Sequence, residues 1–301
     1  MDRFLNTHSL TRWIPLVFVL LWSTGFIGAK AALPFVEPFN LLFIRMLITL
    51  IVFAGLIHLF RSRWPSFSQA LHQMVVGSLV HAAYLGGVFP AIKWQMPAGI
   101  ASLLVGLQPL LTAVLAFAVF SERLRASQWA GLFLGLAGVS MVMLRGGGLG
   151  GIDITLSAFI ATMIALIGIS VGTLYQKRFG AGTDLISGSF FQYLATAGWM
   201  GLLAFLYEEQ TIIWHPQLIA ALAWLVFGLS VTAILLLMYM IREGEAAKVA
   251  SYFYLVPPVT AIEAWWLFGE SLNSIAIAGM VVAVLGVYMV IHSQTSKDPN
   301  V

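Results

Sequence analysis

Cysteine is absent from this chain of 301 residues, and charged side chains are scarce at 9%. The lack of cysteine excludes disulfide frameworks, thiolate metal sites and cysteine nucleophiles. Soluble domains are about 25% charged and about 45–50% apolar, whereas 60% of this chain is hydrophobic. A soluble globule of this size would have to expose the surplus, so the composition indicates a surface that faces lipid.

The sequence also lacks the motifs of nucleotide, metal and nucleophile chemistry. Residues 146–151, "GGGLGG", match the dinucleotide pattern G-x-G-x-x-G, but they lie in a short loop with no strand before them. No H-E-x-x-H or Walker-type loop occurs, and the six histidines are scattered along the chain. The G-x-S-x-G pattern matches 168–172, "GISVG", but within a long apolar run rather than at a strand-to-helix turn. The net charge is +3, with no basic patch interleaved with aromatic residues. We therefore expect no cofactor, no metal, no catalytic residue and no nucleic-acid partner.

What the chain does contain is a series of ten long apolar runs. Each has about the 20 residues that a helix needs to cross a ~30 Å hydrocarbon core. The connections between them are short, so no soluble domain is expected. The predicted fold class is an all-α integral membrane protein with ten transmembrane helices. The spans are predicted at 13–33, 39–60, 71–92, 97–120, 126–144, 154–176, 184–206, 216–240, 246–268 and 273–292.

The first run has some features of a cleaved signal peptide, including the small-x-small triplet at 29–31. It is longer than the usual signal core, and a related segment recurs later, so we interpret it as a span. Lysine and arginine fall mostly in alternate connections, which predicts that both termini are cytoplasmic. On this prediction the inside connections hold Arg3, Arg12, Arg61, Arg63, Arg123, Arg125, Lys177, Arg178, Arg242, Lys248 and Lys297, and the outside ones hold Lys93 and Arg145.

The chain repeats itself at a shift of 148 residues, which places 106–124 over 254–272 with matching proline, threonine, glutamate and leucine positions. A shift of 147 aligns earlier segments, including Lys30 with Lys177. Each copy holds five spans, an odd number, so the second copy enters the membrane from the opposite side. Secondary transporters use such inverted repeats around a midplane site. The predicted organisation is a cytoplasmic segment at 1–12, a first repeat at 13–145, a second repeat at 154–292 and a cytoplasmic tail at 293–301.

Four short segments carry a resemblance to a known family. They are "WSTGFIGAK" (22–30), "FIR" (43–45), "FSERL" (120–124) and "PPVTAIEAWWLFGESL" (257–272). Together they resemble the two EamA domains of the drug/metabolite transporter superfamily. The resemblance implies a ten-helix bacterial inner-membrane carrier that exports amino acids, other metabolites or drugs through a central cavity between its halves. The second copy departs from the first where Gln192 stands in place of Arg45.

Polar side chains inside the apolar runs are the candidates for lining such a cavity, because each is costly in lipid. Ser23 and Thr24 interrupt the first run, where the plain alternative is that they bond backbone carbonyls at a bend. Ser78, His81 and Tyr84 are three residues apart, as on one helix face, although a lone buried histidine can also be a packing residue. The predicted cavity residues are Trp22, Ser23, Thr24, Ser78, His81, Tyr84, Gln108 and Tyr252.

Glu263 is the candidate for proton coupling. It lies deep in the ninth run, on the helix face of Tyr252 and Val256. A poorly hydrated carboxylate can take up and release a proton near neutrality. The alternative is an interfacial group paired with Arg45 or Lys30.

Charged residues near the span ends are candidates for gating. Because sidedness separates the repeat mates, any pairing joins one half to the other. The predicted latches pair Lys30 with Glu270 and Lys177 with Glu122. The alternative is that both lysines reach headgroups and both glutamates lie in solvated turns.

Matched prolines and glycines complete the pattern. Pro109 and Pro257 occupy equivalent positions in the two copies, which predicts paired kinks and makes them hinge candidates. Small residues let neighbouring helices approach closely. The glycines in question are Gly131, Gly135, Gly138, Gly279 and Gly286.

The predicted function is a secondary carrier of the bacterial inner membrane. It exports a small amphipathic metabolite, an amino acid or a drug-like solute, by alternating access around the central cavity. The alternatives are an uncoupled facilitator of the same solutes and, from another class, an intramembrane enzyme. The expected partners are a small-molecule substrate, the lipid bilayer and protons as the candidate coupling ion, in a monomer or weak oligomer.

Overall fold

The fold is helical throughout the part of the chain that the structure describes. The computed structural model describes residues 13–94, 96, 101, 104–120, 124–143, 155–244, 246–256, 258–259, 262–263 and 274–292. Within these ranges the β contribution is a single isolated antiparallel bridge between Val36 and Ile212.

The helices lie where the apolar runs predict them, and we number them in chain order. They are α1 Ile14–Ala32, α2 Pro38–Phe60, α3 Phe67–Lys93, α4 Gln108–Phe120, α5 Ala126–Met143, α6 Leu156–Phe179, α7 Leu185–Tyr207, α8 Pro216–Glu243, α9 Ala246–Ser251 and α10 Ser274–His292. A 3-10 turn, Tyr252–Leu255, continues α9. Each predicted span overlaps one of these helices.

Five of the helices, α2, α3, α6, α7 and α8, are long and apolar enough to cross a membrane. Their outward faces carry large apolar side chains in contact with the surroundings, such as Ile51, which is 73% exposed, and Phe205, which is 78% exposed. Water would penalise such a surface, whereas lipid accepts it. The chain is therefore a multi-pass membrane protein, and the full count of ten crossings stays a prediction.

The start of α2 is capped by the end of α7 rather than by its own flanking residue. Glu37 precedes α2 without capping it. Instead, the backbone N–H groups of Phe39 and Asn40 donate to the two carboxylate oxygens of Glu208, at 2.7 and 2.8 Å. The first N–H groups of a helix have no partner within the helix, so this carboxylate satisfies two of them from another helix.

Two further hydrogen bonds join the same helix pair, one at each end. Asn40 Nδ2 donates to the carbonyl of Glu209 at 3.0 Å, just beyond the end of α7. Its repeat mate Ser187 donates through Oγ to the carbonyl of Arg63 at 2.7 Å, just beyond the end of α2. The beginning of each helix is thus tied to the end of the other, as two copies in opposite orientation require.

The most extensive helix contacts join opposite halves. Under the repeat, α1 to α5 correspond to α6 to α10. The pairs α2–α7, α4–α9 and α5–α10 each join a helix to its own mate, and α1–α8 and α3–α6 are images of each other. The two-repeat architecture therefore extends from the sequence into the packing.

Glycines bring α5 and α10 into backbone contact. A Cβ atom added to Gly131 would lie 2.7 Å from the carbonyl oxygen of Gly286, and one added to Gly286 would lie 2.6 Å from that of Gly131. Gly138 faces the backbone of Gly279 in the same way. Side chains at these positions would push the helices apart.

Both α3 and α8 contain a π-helical segment in mid-helix. These are Gly77–Ala83 and Leu225–Ala233, and a shift of 148 places the first on the start of the second. A π-turn holds more residues than an α-turn, so it rotates the following side chains around the helix. At Gly77 the absence of a side chain lets α3 approach the backbone of Gln192 on α7. Thr196 Oγ1 donates to the Gly77 carbonyl at 3.1 Å.

Candidate functional site

A narrow cavity lies between the two halves, at the depth of the π segments. Its walls include Trp22 of α1, Arg45 of α2, His81 and Tyr84 of α3, Tyr193 of α7 and Leu229 of α8. Toward the Lys93 end of α3 the lining becomes apolar, with Val88 and Phe89 among it. The volume open to water-sized molecules is about 40 Å³, whereas a cavity that takes up benzene measures about 150 Å³. The cavity is therefore smaller than a solute the size of benzene requires.

Aromatic rings form two walls of this cavity. On one side Trp22 stacks on Tyr84, with ring centroids 6.1 Å apart, and meets Phe253 edge-on at 5.3 Å. On the other side Tyr193 stacks on His81 at 4.8 Å and on Phe53 at 5.6 Å. Rings held by neighbouring rings lose little freedom when they contact a solute, so these walls suit an apolar or aromatic group.

Arg45 supplies the charge of the cavity. Its side chain is buried, with 3% exposed, and its Nε donates to Ser230 Oγ at 2.8 Å in the π segment of α8. Tyr193 donates to the carbonyl of the same serine at 2.9 Å. No carboxylate pairs with Arg45 in the described part of the chain. Sequence reasoning assigned this residue no function, although one arginine within an apolar run is a signal of a functional site.

A chain of buried amides leads away from the cavity. His81 Nε2 lies 3.0 Å from Gln192 Oε1, and Gln192 Nε2 donates to Gln73 Oε1 at 2.6 Å. Because the amide nitrogen of Gln192 is used as a donor, its oxygen is the acceptor and His81 donates through Nε2. Gln192, the repeat mate of Arg45, thus fixes the histidine that lies beside the arginine.

Glu263 meets α1 inside the bundle. Ser23 Oγ lies 2.6 Å from Glu263 Oε1 and 2.8 Å from the Leu20 carbonyl. A hydroxyl has one hydrogen, and a carbonyl can only accept. The arrangement therefore suits both a carboxylate that accepts from Ser23 and a protonated carboxyl that donates to it. The second oxygen of Glu263 is buried without a hydrogen-bond partner in the described residues.

Thr24 and Ser78 lie outside the central cavity. Thr24 accepts from Trp224 Nε1 at 2.8 Å in a groove between α1 and α8, and it donates to the Leu21 carbonyl. Ser78 accepts from Trp199 Nε1 at 3.0 Å in a groove beside α6 and α7. The predicted stripe of Ser78, His81 and Tyr84 assumed α-helical periodicity, and the π segment of α3 turns Ser78 away.

Gln108 and Tyr252 lie deeper in the bundle but are not among the residues that line the cavity. Gln108 is buried, and its Oε1 has no hydrogen-bond partner in the described residues. It begins α4 after a turn at 106–107, so Pro109 lies in the first helical turn rather than at a kink within a helix. This position tolerates proline because its missing N–H is not needed there. Tyr252 packs between the two largest apolar clusters.

Of the predicted gating residues, the structure describes the side chain of Lys177 alone. Its Nζ donates to the carbonyls of Gly244 at 2.6 Å and Arg242 at 3.3 Å. A cation is favourable at this end of α8, where carbonyls lack helical partners. Glu122, Glu270, Pro257 and the side chain of Lys30 lie outside the described residues. Both latches and the second hinge therefore stay predictions.

Lipid-exposed helices, a two-fold repeated packing and a charged cavity between the repeats define a membrane transporter of the inverted-repeat class. The chain belongs to the EamA-like transporter family, whose model matches residues 12–144 and 156–292. The resemblance seen in the four short segments is thereby confirmed. Membership in a transporter family also answers the enzyme alternative: this protein is not an enzyme.

Several similar proteins are named as transporters. The chain is 27% identical over 292 residues to the "Probable amino-acid metabolite efflux pump" of Salmonella typhimurium, covering 92% of this chain and 93% of the relative. It is 26% identical to the uncharacterized transporter YvbV of Bacillus subtilis, over 90% and 88% of the two chains. It is 27% identical to the uncharacterized inner membrane transporter YedA of Escherichia coli, over 90% and 87%.

One solved crystal structure shows how far the fold is shared. It aligns with a TM-score of 0.78 over 93% of this chain and 96% of its own, at 22% sequence identity. At this identity the likeness establishes the fold and carries nothing about cargo.

Proposed function

We propose that the protein is a secondary carrier of the bacterial inner membrane that exports a small amphipathic solute by alternating access. The observation that carries this proposal is the cavity between the repeats, with aromatic walls and one described buried cation. Trp22, His81 and Tyr84 are proposed to contact the solute. The name of the Salmonella relative, "Probable amino-acid metabolite efflux pump", supports the direction and the class of cargo.

The charges at the two ends of the bundle support the proposed orientation. At one end Arg61, Arg63 and Arg242 surround a polar hollow. At the other, Glu37 pairs with Lys93 at 3.0 Å. Short loops rich in arginine and lysine stay in the cytoplasm. Both termini are therefore proposed to be cytoplasmic.

Proton coupling through Glu263 belongs to the same proposal. The carboxyl group contacts Ser23 on α1, and its unpartnered oxygen lies in a poorly hydrated place. Loss or gain of a proton there changes which of the two groups donates, and so changes the tie between α1 and the second repeat. The rival reading is a facilitator in which Glu263 has a structural role.

The test is uptake of labelled amino acids into proteoliposomes, with and without an imposed pH gradient. Wild type is compared with Glu263→Gln and with Glu209→Gln, a change of an exposed carboxylate at the end of the bundle. We expect saturable uptake that the gradient drives in wild type and Glu209→Gln but not in Glu263→Gln. Saturable uptake that ignores both the gradient and the substitution would establish the facilitator. No saturable uptake of any of these amino acids would refute amino acids as the cargo.

A further inference from the structure

We infer that Arg45 is the anion-binding group of the central cavity and that the cargo bears a carboxylate on an apolar body. This inference rests on the proposed function and names the substrate class of that same cavity. It excludes solutes without a carboxylate as the preferred cargo.

The guanidinium of Arg45 is held in place through its Nε. Its Nε is fixed by Ser230, which is in turn positioned by the π segment of α8. Among the described residues, Arg45 forms its side-chain hydrogen bond through Nε. Arg45 lines the cavity, and its two terminal nitrogens carry four further N–H groups. Two parallel N–H groups match the two oxygens of a carboxylate.

The described lining of the cavity holds no carboxylate that could compete for Arg45. Arg45 is the one lysine, arginine, aspartate or glutamate among the described residues that line the cavity. An unpaired charge in a membrane interior is costly, so such a residue needs a ligand or water to form hydrogen bonds with it. A carboxylate that arrives with the solute would supply the missing charge in a site of low dielectric, where the attraction is stronger than in water.

The rest of the lining accommodates an apolar body. Trp22 and Tyr84 form a stacked wall next to the arginine, and Val88, Phe89 and Leu229 add apolar surface toward the Lys93 end. A solute with its carboxylate on Arg45 therefore places its side chain against rings and aliphatic groups. Besides Arg45, the described lining holds no lysine or arginine.

The experiment compares acids with their matched amides. Phenylalanine, phenylalanine amide, 3-phenylpropionate and 3-phenylpropanamide are titrated against the purified full chain, with thermal stabilisation in detergent as the binding readout. Uptake of each labelled probe into proteoliposomes is measured beside it. Three variants are included: Arg45→Gln, Arg45→Lys and Arg178→Gln, the last being a control at an exposed position of α6.

We expect the acids to stabilise wild type at concentrations at least about tenfold lower than their amides, since hydrogen bonds to a charged group are strong. Arg45→Gln should abolish the difference, Arg45→Lys should keep part of it, and Arg178→Gln should leave it unchanged. Equal binding of acid and amide to wild type would overturn the inference without requiring any variant to fold. Equal saturable uptake of both would overturn it while leaving the carrier in place, and no saturable uptake of any probe would overturn both.

Discussion

Replacing Gly286 by alanine tests the backbone contact between α5 and α10. The added Cβ would lie 2.6 Å from the Gly131 carbonyl oxygen and would also meet the backbone of Gly135. Backbone cannot rotate away as a side chain can, so one helix has to move. Overpacking of this kind costs about 1–3 kcal/mol. The same substitution at Gly198 in α7 meets nothing within 4 Å and gains up to ~1 kcal/mol from helix propensity.

The assay is thermal unfolding of both variants in the same detergent. At about 2–4 °C per kcal/mol for a chain of this order of size, Gly286→Ala should unfold a few degrees below wild type. Gly198→Ala should unfold at or slightly above the wild-type temperature. If the two alanine variants unfold at the same temperature, α5 and α10 do not touch through their backbones and the packing described above is wrong.

Three further predictions concern the ties between helices. Glu208→Ala removes the tertiary cap of α2 and should cost about 1 kcal/mol of unfolding free energy, whereas Glu209→Ala, which removes an exposed side chain, should not. Burial raises the pKa of Glu208, against the lowering effect of the Phe39 and Asn40 N–H groups. Between the unfolded-state and folded-state pKa values, the folded protein therefore binds more protons than the unfolded one. The free energy of unfolding should rise as pH falls through that window, and this stabilisation should be lost above it. Glu208→Gln should flatten this dependence in a pH series of melting temperatures. Tyr193→Phe loses the bond to the Ser230 carbonyl and should cost about 1 kcal/mol, against no change for Tyr207→Phe at an exposed position; an equal effect of the two would contradict the assignment.

Hydropathy predicted the helices well because each apolar run meets a single requirement, the thickness of a bilayer. The predicted bounds of α2 and α7 agree with the structure within one residue. The repeat could also be read from the sequence, since its two copies kept proline and glutamate at fixed spacing. Both features are local patterns, which explains why no tertiary information was needed.

Side-chain direction was harder to predict. The π segment in α3 leaves no mark on hydropathy, so Ser78 was grouped with His81 although it faces Trp199. Ser23 and Glu263 are 240 residues apart in the chain, and no local pattern in either segment predicts their contact. No role was predicted for Arg45, whose repeat mate is the uncharged Gln192.

The pairing of helices across the halves has a consequence for how the chain is made. Since α2, α4 and α5 each pack on their own mates, a half-length polypeptide present in both orientations could satisfy nearly every one of these interfaces with a second copy of itself. The full chain carries one copy of the repeat in each orientation. A break in the connection between 143 and 155 would cut no helix of the described structure, and the two fragments, synthesised together, should find each other. Either fragment synthesised alone, and inserted in one orientation only, would leave most of its helix faces without a partner helix.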